Sequence, residues 1–208
     1  MKFEWKKHAK ELYMPKTNVE LLIVPECKFF MIKGTGNPND EQFSEEIGVL
    51  YSLSYAIKMM PKNGVTPDGY FDYTVFPLEG VWDISEKGKL QDTLDKNEFI
   101  YNIMIRQPDF VTKEIAMEAI EIVKKKKPNV LLESVAFGSI NDGLCVQMLH
   151  VGSYDNEPSS FAMMKKYCDE NNLKRITKAH REIYITDARK TEKSKLKTVL
   201  RYDVGYKE

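Results

Sequence analysis

Apolar positions along this chain recur with two different periods. Leu21-Leu22-Ile23-Val24 and Phe29-Phe30-Met31-Ile32 are compact apolar runs separated by Pro25, and the second closes on Gly34-Thr35-Gly36. Both predict strands. After the turn cluster Asn37-Pro38-Asn39-Asp40 the period lengthens: Phe43, Ile47, Leu50 and Ile57 line one face, which predicts a helix to about Met60. Tyr70 to Trp82 reads as a hairpin, with Tyr73 and Val75 on one strand face, Pro77 at an edge or bend and Gly80 in a close turn. Phe99 to Arg106 predicts a strand apolar on both faces, ended at Gln107-Pro108, and Val111 to Lys127 a second amphipathic helix. Residues 130–137 fit a strand or a helical extension equally. Gly143 to Gly152 predicts a strand, Ser153 to Pro158 a capping turn, Phe161 to Asn171 a third helix, and Lys178 to Thr186 and Lys195 to Asp203 two closing strands.

The pattern repeats. Aligning Gly34 with Gly152 brings Met31 onto Leu149, Asn37 onto Asp155 and Phe43 onto Phe161 without a gap. Each copy then reads strand, glycine, Asx-rich turn, helix and paired strands. The fold class expected is α+β: tandem duplicated β-α-β-β units, with helices on one face of an antiparallel sheet and a central cleft between the halves. The expected layout is a single domain over 1–208, with pseudo-repeats over about 19–107 and about 130–204 joined by a helix over about 111–127.

Charge and cysteine content narrow the function classes. Lysines and arginines number 31 and so do aspartates and glutamates, so no overall positive field draws in nucleic acid or an anionic membrane. The basic run Lys124 to Lys127 falls at a helix C-terminus, where cations complement the dipole. Cys27, Cys145 and Cys168 are odd in number and widely spaced, which fits reduced, inert thiols. The N-terminal stretch lacks the apolar segment of a signal peptide and no window approaches a membrane span, so a cytoplasmic protein is expected.

Candidate chemistry concentrates in His180-Arg181-Glu182-Ile183-Tyr184. Strand alternation puts Ala179, Ile183 and Ile185 on one face and His180, Glu182 and Tyr184 on the other. If the isoleucine face packs under the helices, Glu182 and Tyr184 look into the opposite concavity, toward Tyr73 or Trp82. There a carboxylate walled by aromatics loses hydration and becomes a cation acceptor or a general acid or base. The plainer alternative is a sheet-edge glutamate paired with Arg181 or Lys178 in water. His8, His150 and His180 show no partner at metal-ligand spacing, Gly34-Thr35-Gly36 lacks a third glycine, and Ser139 and Ser160 sit in no nucleophile elbow. Neither metal nor cofactor is expected.

Several segments together resemble the GyrI-like small-molecule-binding domain family. They are Met31 to Pro38, Leu50 to Tyr55, Tyr73 to Trp82, Met104 to Pro108, Val146 to Asp155 and His180 to Tyr184. The resemblance implies a tandem, SHS2-like fold with a central pocket, where a buried glutamate and aromatic rings hold flat, often cationic, ligands. Glu182 matches that glutamate, and Tyr73, Trp82 and Tyr154 match the aromatic positions, with Val81-Trp82 standing where the family has a Leu-Trp pair. Tyr184, Phe76, Met104 and His150 complete the expected ligand-binding set. Residues 1–17 are too short for the helix-turn-helix of the regulators that carry this domain. Stand-alone members that hydrolyse the cyclopropane of DNA-alkylating cyclopropanoids imply catalysis by Glu182 with Tyr73. A non-catalytic drug-sequestering module, an effector-binding regulator without its own DNA-binding domain, and a gyrase-interacting protector are the alternatives.

Overall fold

A computed structural model describes residues 2–207. In chain order the strands are β1 Glu20–Val24, β2 Cys27–Thr35, β3 Leu78–Ile84, β4 Phe99–Gln107, β5 Ala136–Ile140, β6 Gly143–Val151, β7 Leu173–Arg175, β8 His180–Tyr184 and β9 Lys197–Tyr206. The α-helices are α1 Trp5–His8, α2 Lys10–Tyr13, α3 Glu41–Met59, α4 Lys113–Lys126 and α5 Glu157–Glu170. The fold is α+β with antiparallel strand pairing throughout these elements.

The chain divides into two compact units. The first takes the residues ahead of Trp5 together with Cys27–Leu78 and Asp83–Ile140. Its strands run β4-β2-β5, with Met31 opposite Met104 on one side and Ala136 on the other. Phe30, Ile32, Leu50, Leu53, Ile103 and Ile105 are all buried in this unit. Gln107 Nε2 donates to Ser54 Oγ at 2.9 Å and the Tyr101 hydroxyl to Glu46 Oε2 at 2.9 Å, which satisfies polar groups that burial would otherwise strand. Gly34 has no side chain because the Tyr101 ring lies where its Cβ would be.

The second unit takes Trp5–Glu26, Glu79–Trp82 and the chain from Asn141 onward. Its strands run β1-β6-β9-β8, followed by the Glu79–Trp82 stretch of β3, with β7 paired to β9. The pairing pattern of the two units corresponds: β5-β2-β4 in one matches β1-β6-β9 in the other. In each, the strand preceding the glycine-ended strand is supplied by the other half of the sequence.

Alternation assigns the two faces of the second unit. Even-numbered residues Val146, Met148, Leu200, Tyr202 and Val204 pack with Met164 and Cys168 of α5. Odd-numbered residues face α1 and α2, with Tyr13 Oη donating to Glu79 Oε1 at 3.2 Å and Arg201 Nη2 to the Leu12 carbonyl at 2.6 Å. On that face Arg181 reaches Glu79 at 3.2 Å and Asp142 at 3.0 Å, so two neighbouring buried arginines are matched by carboxylates and by Gln147.

Several expectations are corrected. The Tyr70–Trp82 segment is not a hairpin: Tyr73 forms an isolated parallel bridge to Phe3, and Gly80 lies inside β3. Proline and aromatics here mark an irregular approach to a strand whose partner, β8, lies a hundred residues away in sequence. Residues 130–140 resolve as a 3-10 turn over Val130–Ser134 and then β5. The third helix begins at Glu157 and places Pro158 in its first turn, where a missing N–H costs nothing.

Candidate functional site

β8 is a central strand of the second unit, held by β9 on one side and β3 on the other. Register places Gly80 opposite Glu182 and Trp82 opposite His180. On β9, Leu200 stands opposite Glu182 and Thr198 opposite Tyr184. His180, Glu182 and Tyr184 therefore share the face that α5 covers, which reverses the expected orientation. The isoleucine face is the one that carries Arg181, Glu79 and the N-terminal helices. Buried, paired charges on that second face disguised it as the apolar alternative to a polar one.

A polar chain runs across this face. The Trp82 indole Nε1 donates to Tyr184 Oη at 2.8 Å, and the Tyr184 hydroxyl stands beside Glu182, whose charge helps hold its proton on. From the other side His180 Nε2 lies 3.1 Å from Glu182 Oε1. The Glu182 side chain is 12 % exposed and the His180 side chain 23 %. Tyr154 meets Tyr184 edge-to-face with centroids 6.2 Å apart, and Phe161 meets the His180 ring at 4.8 Å. A Cβ on Gly80 would come within 2.6 Å of the Trp82 Nε1 and 3.4 Å of the Tyr184 hydroxyl, so glycine is what admits the indole.

A second carboxyl, Glu157, completes the group. It is 7 % exposed, in the first turn of α5, and one ligand atom from each of Glu157, His180 and Glu182 lies within 4.8 Å of the others. Burial, then the nearby charges of Glu182 and Asp155, pushes the Glu157 carboxyl up to about 9, so it holds its proton at neutral pH. The same causes, burial first and Glu182 next, raise the Tyr184 hydroxyl well above its ordinary value and push Tyr154 up to about 12. Both tyrosines therefore keep their protons at neutral pH and are not bases.

Among the expected residues, the structure brings together Glu182, Tyr184, Trp82 and Tyr154. His150 stands on β6 with Nδ1 2.9 Å from Ser160 Oγ and Nε2 3.0 Å from the Ser153 carbonyl, on the wall of a groove of about 710 Å³ lined also by Leu149, Asn156 and Met163. Tyr73, Phe76 and Met104 belong to the first unit, all buried. Tyr73 packs among Tyr70, Phe71 and Phe110, and Phe76 lies under the Arg106 guanidinium at 5.0 Å. The expectation that His180 lacks a carboxylate partner is overturned, because Glu182 shares its strand face and α5 delivers Glu157. Glu157 was missed. A proline at the second position of a helix would have moved the predicted start to Glu157 and set a carboxyl in the first turn.

Residues 17–202 match the GyrI-like small molecule binding domain. The chain belongs to that family. A crystal structure of a hydrolase encoded by lin2189 from Listeria innocua is 36 % identical, covers 99 % of this chain and 100 % of its own, and superposes with a TM-score of 0.91. An uncharacterized conserved protein from Listeria innocua is 38 % identical over 98 % of this chain and 100 % of its own, with a TM-score of 0.90. The C-terminal domain of EcmrR, 16 % identical over 91 % of this chain and 98 % of its own, shares the fold at a TM-score of 0.51. Comparison with curated proteins gave no match. Among the described residues no helix is long and apolar enough to cross a membrane.

Proposed function

We infer that this protein binds flat, hydrophobic aromatic compounds and hydrolyses those carrying an electrophilic cyclopropane, as a detoxifying cyclopropanoid hydrolase. The observation that carries this reading is the Glu182 carboxylate, held by His180 and next to a Tyr184 ring that Trp82 and Tyr154 pack against. Membership of a small-molecule-binding family supports the binding step, and a 36 % identical relative called a hydrolase supports the chemistry.

In this mechanism a ring system packs against the aromatic side chains, each contact contributing roughly 0.5–1.5 kcal/mol beyond area burial. Glu182 accepts a proton from a water as its oxygen bonds to the cyclopropyl carbon. The breaking C–C pair moves into the conjugated acceptor attached to the ring, which takes up a proton, so the product is substrate plus one water. General-base assistance of this kind is worth about 10²–10⁴-fold. Tyr184, protonated beside Glu182, takes the supporting part first expected of Tyr73. The fold supports a tandemly duplicated chain, through the matching strand pairings of its two units.

The test is incubation with a cyclopropanoid, following the water adduct by mass spectrometry. Wild-type turnover that Glu182→Gln abolishes is the expected result. Stoichiometric protection of the compound without product would assign the protein to sequestration instead, and normal turnover by Glu182→Gln would remove Glu182 from the chemistry.

A further inference from the structure

The aromatic cluster explains how a flat molecule is held, but not why two carboxyl groups and an imidazole converge beside it. Among the described residues neither Glu157 nor Glu182 pairs with a lysine or arginine, and Glu157 Oε1 is buried with no hydrogen-bond partner. An unsatisfied buried carboxyl oxygen is destabilising, by about 1–3 kcal/mol or more, unless something else occupies the space in front of it. One ligand-type atom from each of Glu157, His180 and Glu182 lies within 4.8 Å of the other two.

We propose that Glu157, His180 and Glu182 form the binding site of a single divalent transition-metal cation of the zinc class. Ligand bonds of about 2.0–2.2 Å in tetrahedral arrangement set neighbouring donors about 3.4 Å apart. His180 Nε2 and Glu182 Oε1, at 3.1 Å, already match that spacing. Glu157 is anchored at a helix start, with its ligand atom within 4.8 Å of the other two. One nitrogen and two carboxylate oxygens without thiolate select zinc, manganese, iron(II) or cobalt(II) over soft copper(I). Three protein donors leave a fourth position open. The support around the donors fits the role: the protonated Tyr184 hydroxyl stands beside Glu182, and the Phe161 ring braces the imidazole edge-on.

The assignment stands on this donor geometry and competes with the ring-opening reading, because a Glu182 carboxylate that ligates a metal is not free to take a proton from water. EDTA-treated wild-type protein is titrated with zinc chloride by calorimetry, with magnesium chloride as the control that a site keeping one imidazole should refuse. One equivalent of zinc is expected. Glu157→Gln and His180→Gln should each weaken binding by more than the roughly 10–100-fold that loss of an outer hydrogen-bond partner costs, with unchanged far-ultraviolet circular dichroism. A readout that needs no variant is broadening of the His180 and Phe161 ring resonances by substoichiometric manganese(II). Absence of saturable zinc binding, wild-type affinity in both variants, or broadening confined to His8 would overturn the proposal.

Discussion

Gly80→Ala tests the packing on which the site depends. The added methyl group would sit 2.6 Å from the Trp82 Nε1, against a normal contact of about 3.5 Å, so the indole must move by about 1 Å. Trp82 is 7 % exposed and its N–H bond to Tyr184 is 2.8 Å, so a shift of that size stretches or breaks the bond. Overpacking typically costs about 1–3 kcal/mol and the lost hydrogen bond about 0.5–1.5, giving an expected destabilisation of about 2–4 kcal/mol. Urea unfolding measures the loss. A Trp5→Phe background leaves Trp82 as the sole indole, and its emission should shift as the hydrogen bond goes. A change below about 0.5 kcal/mol with unaltered emission would show that the indole is not confined by Gly80, and the account of the aromatic wall would fail.

Other consequences follow from the same structure. Arg181→Met leaves Glu79 and Asp142 without their shared cation in the interior and should cost about 3–5 kcal/mol in urea unfolding, with partial recovery when Glu79→Leu is added. In metal-free protein the Glu157 carboxyl, raised from its ordinary 4.5 to about 9, binds its proton more tightly folded than unfolded. Its stabilising contribution is therefore complete below about pH 4.5 and lost as pH rises to about 9, at up to about 1.4 kcal/mol per pH unit, and Glu157→Gln should flatten that slope of stability against pH. Cys27, Cys145 and Cys168 are all buried, and burial pushes the Cys145 thiol up to about 11, so a thiol reagent should label them only on unfolding. Gly34→Ala should displace the Tyr101 ring and its bond to Glu46, lowering stability by about 1–3 kcal/mol without altering ligand binding in the second unit.

Much of the architecture was legible from periodicity alone. The apolar runs at Phe29 to Ile32 and Phe99 to Arg106, the helix through Leu50 and the strand carrying Glu182 all fall in observed elements, because burial of one face imposes a period of 2 or 3.6 on the sequence itself. The even-odd partition that set His180, Glu182 and Tyr184 together was a local property and held. Which side that face looks toward was not local. It depends on α5 packing over Leu200 and Tyr202 and on Tyr13 and Leu12 reaching Glu79 and Arg201 from the other side, contacts spanning up to 189 residues. The sequence by itself determined most of the strands, the three long helices and the residue types sharing a face, but neither the approach to β3 nor the state of residues 130–137. Only the tertiary structure decided that β3 pairs with β8, that Gly80 makes room for Trp82, and that Glu157 arrives beside Glu182. Alternation constrains neighbours along one chain segment, while a site is assembled by packing between segments whose separation no period records.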